Sequence, residues 1–181
     1  MSDSDKMRIL VLGVGNVLLR DEGVGVRVLG ELARRFAFPE NVRLVDGGVL
    51  GLSLTGTIMD ADHVVVIDAV RGGKPPGTVF RFDWEARPDH IHYKDSLHQI
   101  DLMETMAILP LLGDAPKVTV VGVEYEDIDG WGLYLTPKVE AAVEKMIAAV
   151  LAELDALGVR PLARSRWEKA PDVFGGASQG N

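Results

Sequence analysis

Apolar positions along the chain switch repeatedly between two periods. Arg8 to Leu12 is a short, mostly apolar run of strand type, whereas Val24, Val28, Leu29, Leu32 and Phe36 recur at helical spacing. Val42 to Val45 reads as a second strand running into the turn Asp46-Gly47-Gly48, with a short helix from about Leu50 to Met59 behind it. His63 to Ile67 is apolar almost throughout, the pattern of a central strand covered on both faces, and it ends at Asp68. Thr78 to Phe82 alternates as another strand. Ser96 and Gln99 have capping-box spacing ahead of Ile100, Met103, Ala107 and Ile108, which predicts a helix from near Leu97 that Pro110 kinks or ends. Lys117 to Val123 is a further buried-type strand. Thr136 and Pro137 have the order of an N-cap and first helical residue, opening one long helix through Val139, Val143, Met146, Val150 and Leu154 to a stop at Gly158. Strands alternating with helices predict a three-layer α/β/α sandwich with a mostly parallel central sheet.

With 181 residues, 47% of them hydrophobic, the chain can bury a full core without staples. Residues 1–159 are expected to form a single domain. From Arg160 to Asn181 the composition turns to Pro, Gly, Ser and charge, so that tail is expected to be poorly ordered. The absence of cysteine excludes disulfides, thiolate metal sites and thiol nucleophiles together. No apolar stretch is long enough for a membrane span and the first residues are polar and acidic, which predicts a cytoplasmic protein. A net charge of −8, spread along the chain, argues against a nucleic-acid partner, whose phosphates need a basic stripe.

The first strand, loop and helix resemble a dinucleotide-binding unit until their charges are considered. In that unit a pyrophosphate sits on the helix N-terminus. Here Asp21 and Glu22 occupy that end and would repel it, and Leu18 stands where the fingerprint needs its third glycine. The two acids suit the helix dipole, and they equally suit a cation. Chemistry in such a sheet collects outside the carboxyl ends of the strands. Glu22 follows the first strand, Asp46 ends the second, Asp68 ends the third, and His98 lies in the first turn of the helix behind Ser96. Glu22, Asp68 and His98 together would make a mixed oxygen and nitrogen site for a borderline divalent metal. Each also has a structural reading: Glu22 as a dipole partner, Asp68 as a loop cap, and His98 as a neutral or acid-paired helix residue. His90 and His92 lie in a long polar loop from Trp84 to Lys94 and read as solvated. Gly51 to Gly56 has one residue too many for a nucleophile elbow, and Gly72-Gly73-Lys74 lacks the spacing of a phosphate loop.

Taken together, GVGNVLLRDEGVG (13–25), VDGG (45–48), IDAV (67–70), SLHQ (96–99) and VVGVE (120–124) resemble, in order, the successive motifs of the nickel-iron hydrogenase maturation proteases. The match runs from about Met7 to Gly158. It implies an endopeptidase that removes a short C-terminal extension from the hydrogenase large-subunit precursor once nickel has been inserted. Carried over residue by residue, it puts the metal-binding positions on Glu22, Asp68 and His98. The nickel is expected to be recognised in the substrate precursor rather than kept by the enzyme. Asp46 and Asp68 are the candidates for an aspartic-type general base on water. The competing class is a non-catalytic escort that senses nickel without cutting.

Overall fold

Two strands in which every residue is buried, β1 (Ile9–Val14) and β4 (His63–Val70), form the middle of the sheet, as their near-continuous apolar composition requires. The structure is a computed structural model that describes residues 6–49, 52–92 and 97–165, with only the backbone described for residues 52 and 97–101. Between the strands run α1 (Val24–Arg35), the two-residue β2 (Phe36–Ala37), β3 (Val42–Gly48) and α2 (Thr55–Met59). After β4 follow β5 (Val79–Asp83), α3 (Leu97–Leu112), β6 (Lys117–Glu124), α4 (Pro137–Glu140), α5 (Val143–Ala156) and β7 (Leu162–Ala163). The sheet order is β3-β1-β4-β6-β5. All pairings are parallel except that of β5, which runs antiparallel to β6 at the edge.

Strand alternation divides the core in two. Ile9, Val11, Val65 and Ile67 face one side and pack on Val28, Leu29 and Leu32 of α1 and on Met146, Val150 and Leu154 of α5. Leu10, Leu12, Val64 and Val66 face the other side and pack on Ile58 of α2 and on Leu102, Met106 and Leu109 of α3. The result is the expected α/β/α sandwich. Each such fully buried aliphatic side chain contributes about 1.5–3 kcal/mol.

Several local expectations change on folding. Phe36, which continues the apolar stripe of the first helix, lies instead in β2, because α1 ends at Arg35 and the backbone turns extended. The long helix expected after Thr136 is two pieces, α4 and α5, separated at Ala141 and Ala142. There the backbone tightens, with Ala142 N–H donating to Val139 O, and Gly77 lies so close that a Cβ on it would stand 2.6 Å from Lys138 O. Pro110 neither blocks α3 nor stands far from its end: the helix runs on to Leu112, so the missing N–H costs it little beyond its last turn. Ser96, the expected cap, lies outside the described residues. The first part of the tail is tied down: β7 pairs antiparallel with β2, and the Arg164 guanidinium donates to the carbonyls of Ala33 and Phe36, which α1 leaves open at its C-terminal end. Residues 166–181 lie outside the described residues. Among the described residues no helix is long and apolar enough to cross a membrane.

Candidate active site at the carboxyl edge of the sheet

The glycines around the two acids serve packing. Gly15 has φ +125°, and a Cβ there would lie 1.7 Å from Glu22 O, so only glycine lets the turn over residues 20–23 fold back against the end of β1. A Cβ on Gly25 would lie 2.1 Å from Ile67 O, so α1 can start directly over β4 only with glycine at this position. The segment thus brings the backbone of Asp21-Glu22-Gly23 onto the strand ends, where a phosphate loop would keep its amides open for a ligand.

The two neighbouring acids then diverge. Asp21 is fully buried and clamps a distant loop: its Oδ1 accepts from Thr136 N–H at 2.7 Å. Its Oδ2 accepts at 2.9 Å from each of Glu126 N–H, Asp127 N–H and the Thr136 hydroxyl. Thr136 does occupy the N-cap position of α4, but its hydroxyl serves Asp21 and makes no cap bond. Glu22, also buried, lies near enough to Asp68 for its charge to act on that carboxyl.

Asp68 ends the buried stretch of β4 at full burial. Its Oδ1 accepts from Ala69 N–H at 2.7 Å, and its Oδ2 accepts no hydrogen bond among the described residues. Burial pushes the Asp68 carboxyl well above the usual carboxylate range; the Ala69 N–H opposes this, and the negative charge of Glu22 adds to it. Two carboxyl groups that raise each other's cost of ionisation out of water are suited either to holding a proton or to receiving a cation.

Asp46 and His98 stand differently. Asp46 is opposite Gly13 in β1, as is Ile67 in β4, one residue short of Asp68. By strand alternation Asp46 therefore leaves the sheet on the α1 side and Asp68 on the α3 side. Consistent with this, a Cβ on Gly47 would meet Leu12 and Leu54, on the α3 side. Asp46 is partly buried, accepts from Gly48 N–H at 2.8 Å, and has its carboxyl pushed upward by burial against that bond. Topology brings the first turn of α3, with the backbone of His98, to the carboxyl edge on the face where Asp68 emerges. The His98 side chain lies outside the described residues. No group of three His, Asp or Glu close enough for one metal ion occurs among the described residues, where Glu22 and Asp68 supply two oxygen donors. His90 and His92 are exposed on either side of buried Ile91, which docks their loop.

Two contributors escape sequence reasoning. Asp21 is legible only as a helix-end acid, because its partners lie 105 to 115 residues away. Glu124, the last residue of β6, is buried and accepts from Gly72 and Lys74 N–H at 2.7 and 3.1 Å, shaping the loop after β4 beside the site. Its signal is a charged residue closing the apolar run Val120 to Val123.

Fold and site together define a class: a three-layer α/β/α protein with buried carboxylates over its strand ends and, among the described residues, no phosphate-binding turn. Comparison with known proteins agrees. A model of the hydrogenase maturation protease family matches residues 26–153, a span that holds Asp46, Asp68 and His98 and begins just after Glu22. The chain is 41% identical over 160 residues to the hydrogenase 2 maturation protease of Escherichia coli strain K12, across 87% of this chain and 97% of that protein. It is 39% identical over 166 residues to the hydrogenase expression/formation protein HupD of Thiocapsa roseopersicina, across 91% of this chain and 74% of that protein. The solved structure of the hydrogenase maturating endopeptidase HybD from E. coli matches with a TM-score of 0.81, covering 87% of this chain and 98% of that one at 41% identity. The chain belongs to the hydrogenase maturation protease family, and it is an endopeptidase.

Proposed function

We infer that this protein removes the C-terminal extension from the precursor of a nickel-iron hydrogenase large subunit after nickel insertion, in the cytoplasm. One observation carries the reading. Asp68 is wholly buried beside Glu22, with an oxygen that accepts no hydrogen bond among the described residues. A divalent ion arriving with the substrate supplies the positive charge that this pair of carboxyl groups lacks. Glu22, Asp68 and His98 grip that ion, a donor set of two carboxylates and one imidazole that suits a borderline metal such as nickel. The ion belongs to the substrate, so only a loaded precursor is held in register. Hydrolysis of the scissile amide uses a carboxylate as general base on water, and Asp46 and Asp68 are the two groups whose burial raises their proton affinity toward that task.

The test is incubation of the purified protein with nickel-loaded and nickel-free large-subunit precursor, followed by mass spectrometry of the precursor. The expected result is a C-terminal mass loss in the loaded precursor alone. No mass loss in either sample would leave an escort, and equal loss in both would overturn recognition through nickel. Replacing Asp46 by Asn then divides the roles of the two aspartates. Loss of cleavage with loaded precursor still bound assigns the base to Asp46, whereas unimpaired cleavage leaves that role with Asp68.

A further inference from the structure

The turn that carries Glu22 continues outward into an apolar surface that the fold leaves open. Leu18 O accepts from Gly132 N–H at 2.9 Å and Gly132 O accepts from Arg20 N–H at 2.9 Å, which joins the loop before Asp21 to the loop after β6 as one parallel rung. On either side of that rung stand Trp131 at 81% exposure, Tyr134 at 80%, Leu133 at 58%, and Val17 and Leu18 at 47% each. Five large apolar side chains gathered at this exposure mark an interaction surface. Trp and Tyr are the residue types that anchor such contacts.

The surface is held rigidly. Arg20 sits in the left-handed region at φ 48°, fixed there by its bonds to Gly132 O and to the Asp127 carboxylate at 2.8 Å. Arg27 donates to Leu133 O at 2.7 Å, and Asp21 ties Glu126, Asp127 and Thr136 beneath. A partner seated on these loops is therefore positioned relative to Glu22 through two peptide bonds and a set of short hydrogen bonds.

We propose that the paired loops Val17–Arg20 and Gly130–Tyr134 are the docking surface for an apolar segment of the polypeptide substrate, which they align with the Glu22 and Asp68 carboxylates. Three observations select this occupant. The chain is an endopeptidase, so its substrate is a polypeptide that must extend beyond the buried acids. Two cations bordering the patch are matched within the protein, Arg20 with Asp127 at 2.8 Å and Lys138 with Glu126 at 2.6 Å, so the large exposed side chains make apolar contact the recognising chemistry. The patch is joined by the Leu18–Gly132–Arg20 rung to the turn that carries Glu22, so its occupant lies next to the buried acids. The inference rests on the proposed function for the identity of the substrate.

The test uses the full chain with Trp131→Ser and Tyr134→Ser combined, and a control with Leu111→Ser and Leu112→Ser, two exposed leucines at the far end of α3. Cleavage of nickel-loaded precursor, direct binding of that precursor and sedimentation velocity are measured for each. The loop variant is expected to raise KM and weaken precursor binding by about tenfold or more with kcat retained, the mark of lost ground-state contact, while its melting curve matches wild type. The control should match wild type throughout. Unchanged KM and binding in the loop variant would overturn the proposal, as would a wild-type dimer that dissociates in the variant with KM unchanged. If the wild type binds the precursor through these loops but does not cut it, the proposed function fails and the docking surface stands.

Discussion

Asp21 and Asp68 lie at the same edge of one sheet, both with no exposed surface, and the protein treats them in opposite ways. Around Asp21, two oxygens receive four donors between 2.7 and 2.9 Å, so backbone N–H groups and one hydroxyl replace the water its charge has lost. Around Asp68 one oxygen receives a single backbone N–H and the other none among the described residues, and the charge of Glu22 repels its own. Burial is therefore common to both and diagnostic of neither. What separates a clamp from a site is whether the fold answers the charge. Asp21 spends its hydrogen bonds on architecture; Asp68 keeps capacity that only a proton or an incoming cation can fill.

The comparison breaks most visibly at Asp21. Asp21→Ala removes four charge-assisted bonds and leaves the donors of Glu126, Asp127 and Thr136 buried or half-buried, and should cost about 3–5 kcal/mol of stability. For a chain of this size that is a fall in Tm of about 6–20 °C by calorimetry. A loss below about 1 kcal/mol would mean that other contacts hold the loop over residues 125–136. Asp68→Asn should do the reverse. Asparagine needs neither a buried charge nor a bound proton there, so the exchange should raise stability by about 1 kcal/mol, while processing of loaded precursor falls by more than the roughly 10–100-fold that loss of an outer-shell partner costs a metal site. A destabilised Asn variant with normal processing would make Asp68 a second clamp.

The strands and their order of appearance were legible because buried runs such as Val64 to Ile67 admit few other readings, and the acids closing them fall at the carboxyl edge by topology. The pairing of Glu22 with Asp68 was legible in the same way. Side-chain direction was not. Asp46 and Asp68 look equivalent along the chain, and a one-residue offset in register, readable only from paired backbones, sends them to opposite faces. The Asp21 clamp, the antiparallel edge strand β5 and the docking of β7 on β2 all depend on partners far away in sequence. The close approach of Gly77 to Lys138 in α4 likewise comes from another part of the chain.

The Asp68 effect carries a pH signature that sharpens the comparison further. In the folded protein the carboxyl titrates above its unfolded value of about 3.9, so the unfolded state releases its proton first and folding loses stability as pH rises from that value toward the folded one. The advantage of Asp68→Asn over wild type should therefore grow as pH rises from about 4 toward neutral, and vanish as the pH is lowered to about 4. Equal Tm differences at both ends would show that the gain comes from packing and not from the charge.

The smallest expected effect lies on the α5 face of the sheet, where a third buried polar group tests whether an answered site is insensitive to pH. His63, the first residue of β4, is buried with its Nε2 3.0 Å from Thr119 Oγ1, whose hydroxyl donates to Glu153 at 3.0 Å, so the ring N–H is the donor in the first bond. Burial holds the imidazole below its ordinary pKa; Glu153 and Asp83 pull it up, while Lys117 and Arg81 push it further down. Arg81 meanwhile pairs with Glu153 at 2.9 Å, so the carboxylate facing His63 is already matched. A neutral folded histidine costs nothing above about pH 6.5, but below it the unfolded chain takes up a proton that the folded one resists. Stability should thus decline as pH falls from about 6.5 toward the lowered folded value. His63→Gln, which keeps an N–H for Thr119 and cannot be protonated, should lose that slope and no other part of the profile. An unaltered slope in the variant would move the acid sensitivity to another group, and a steeper one would mean that the ring, and not its charge, holds Thr119 and Glu153 in place.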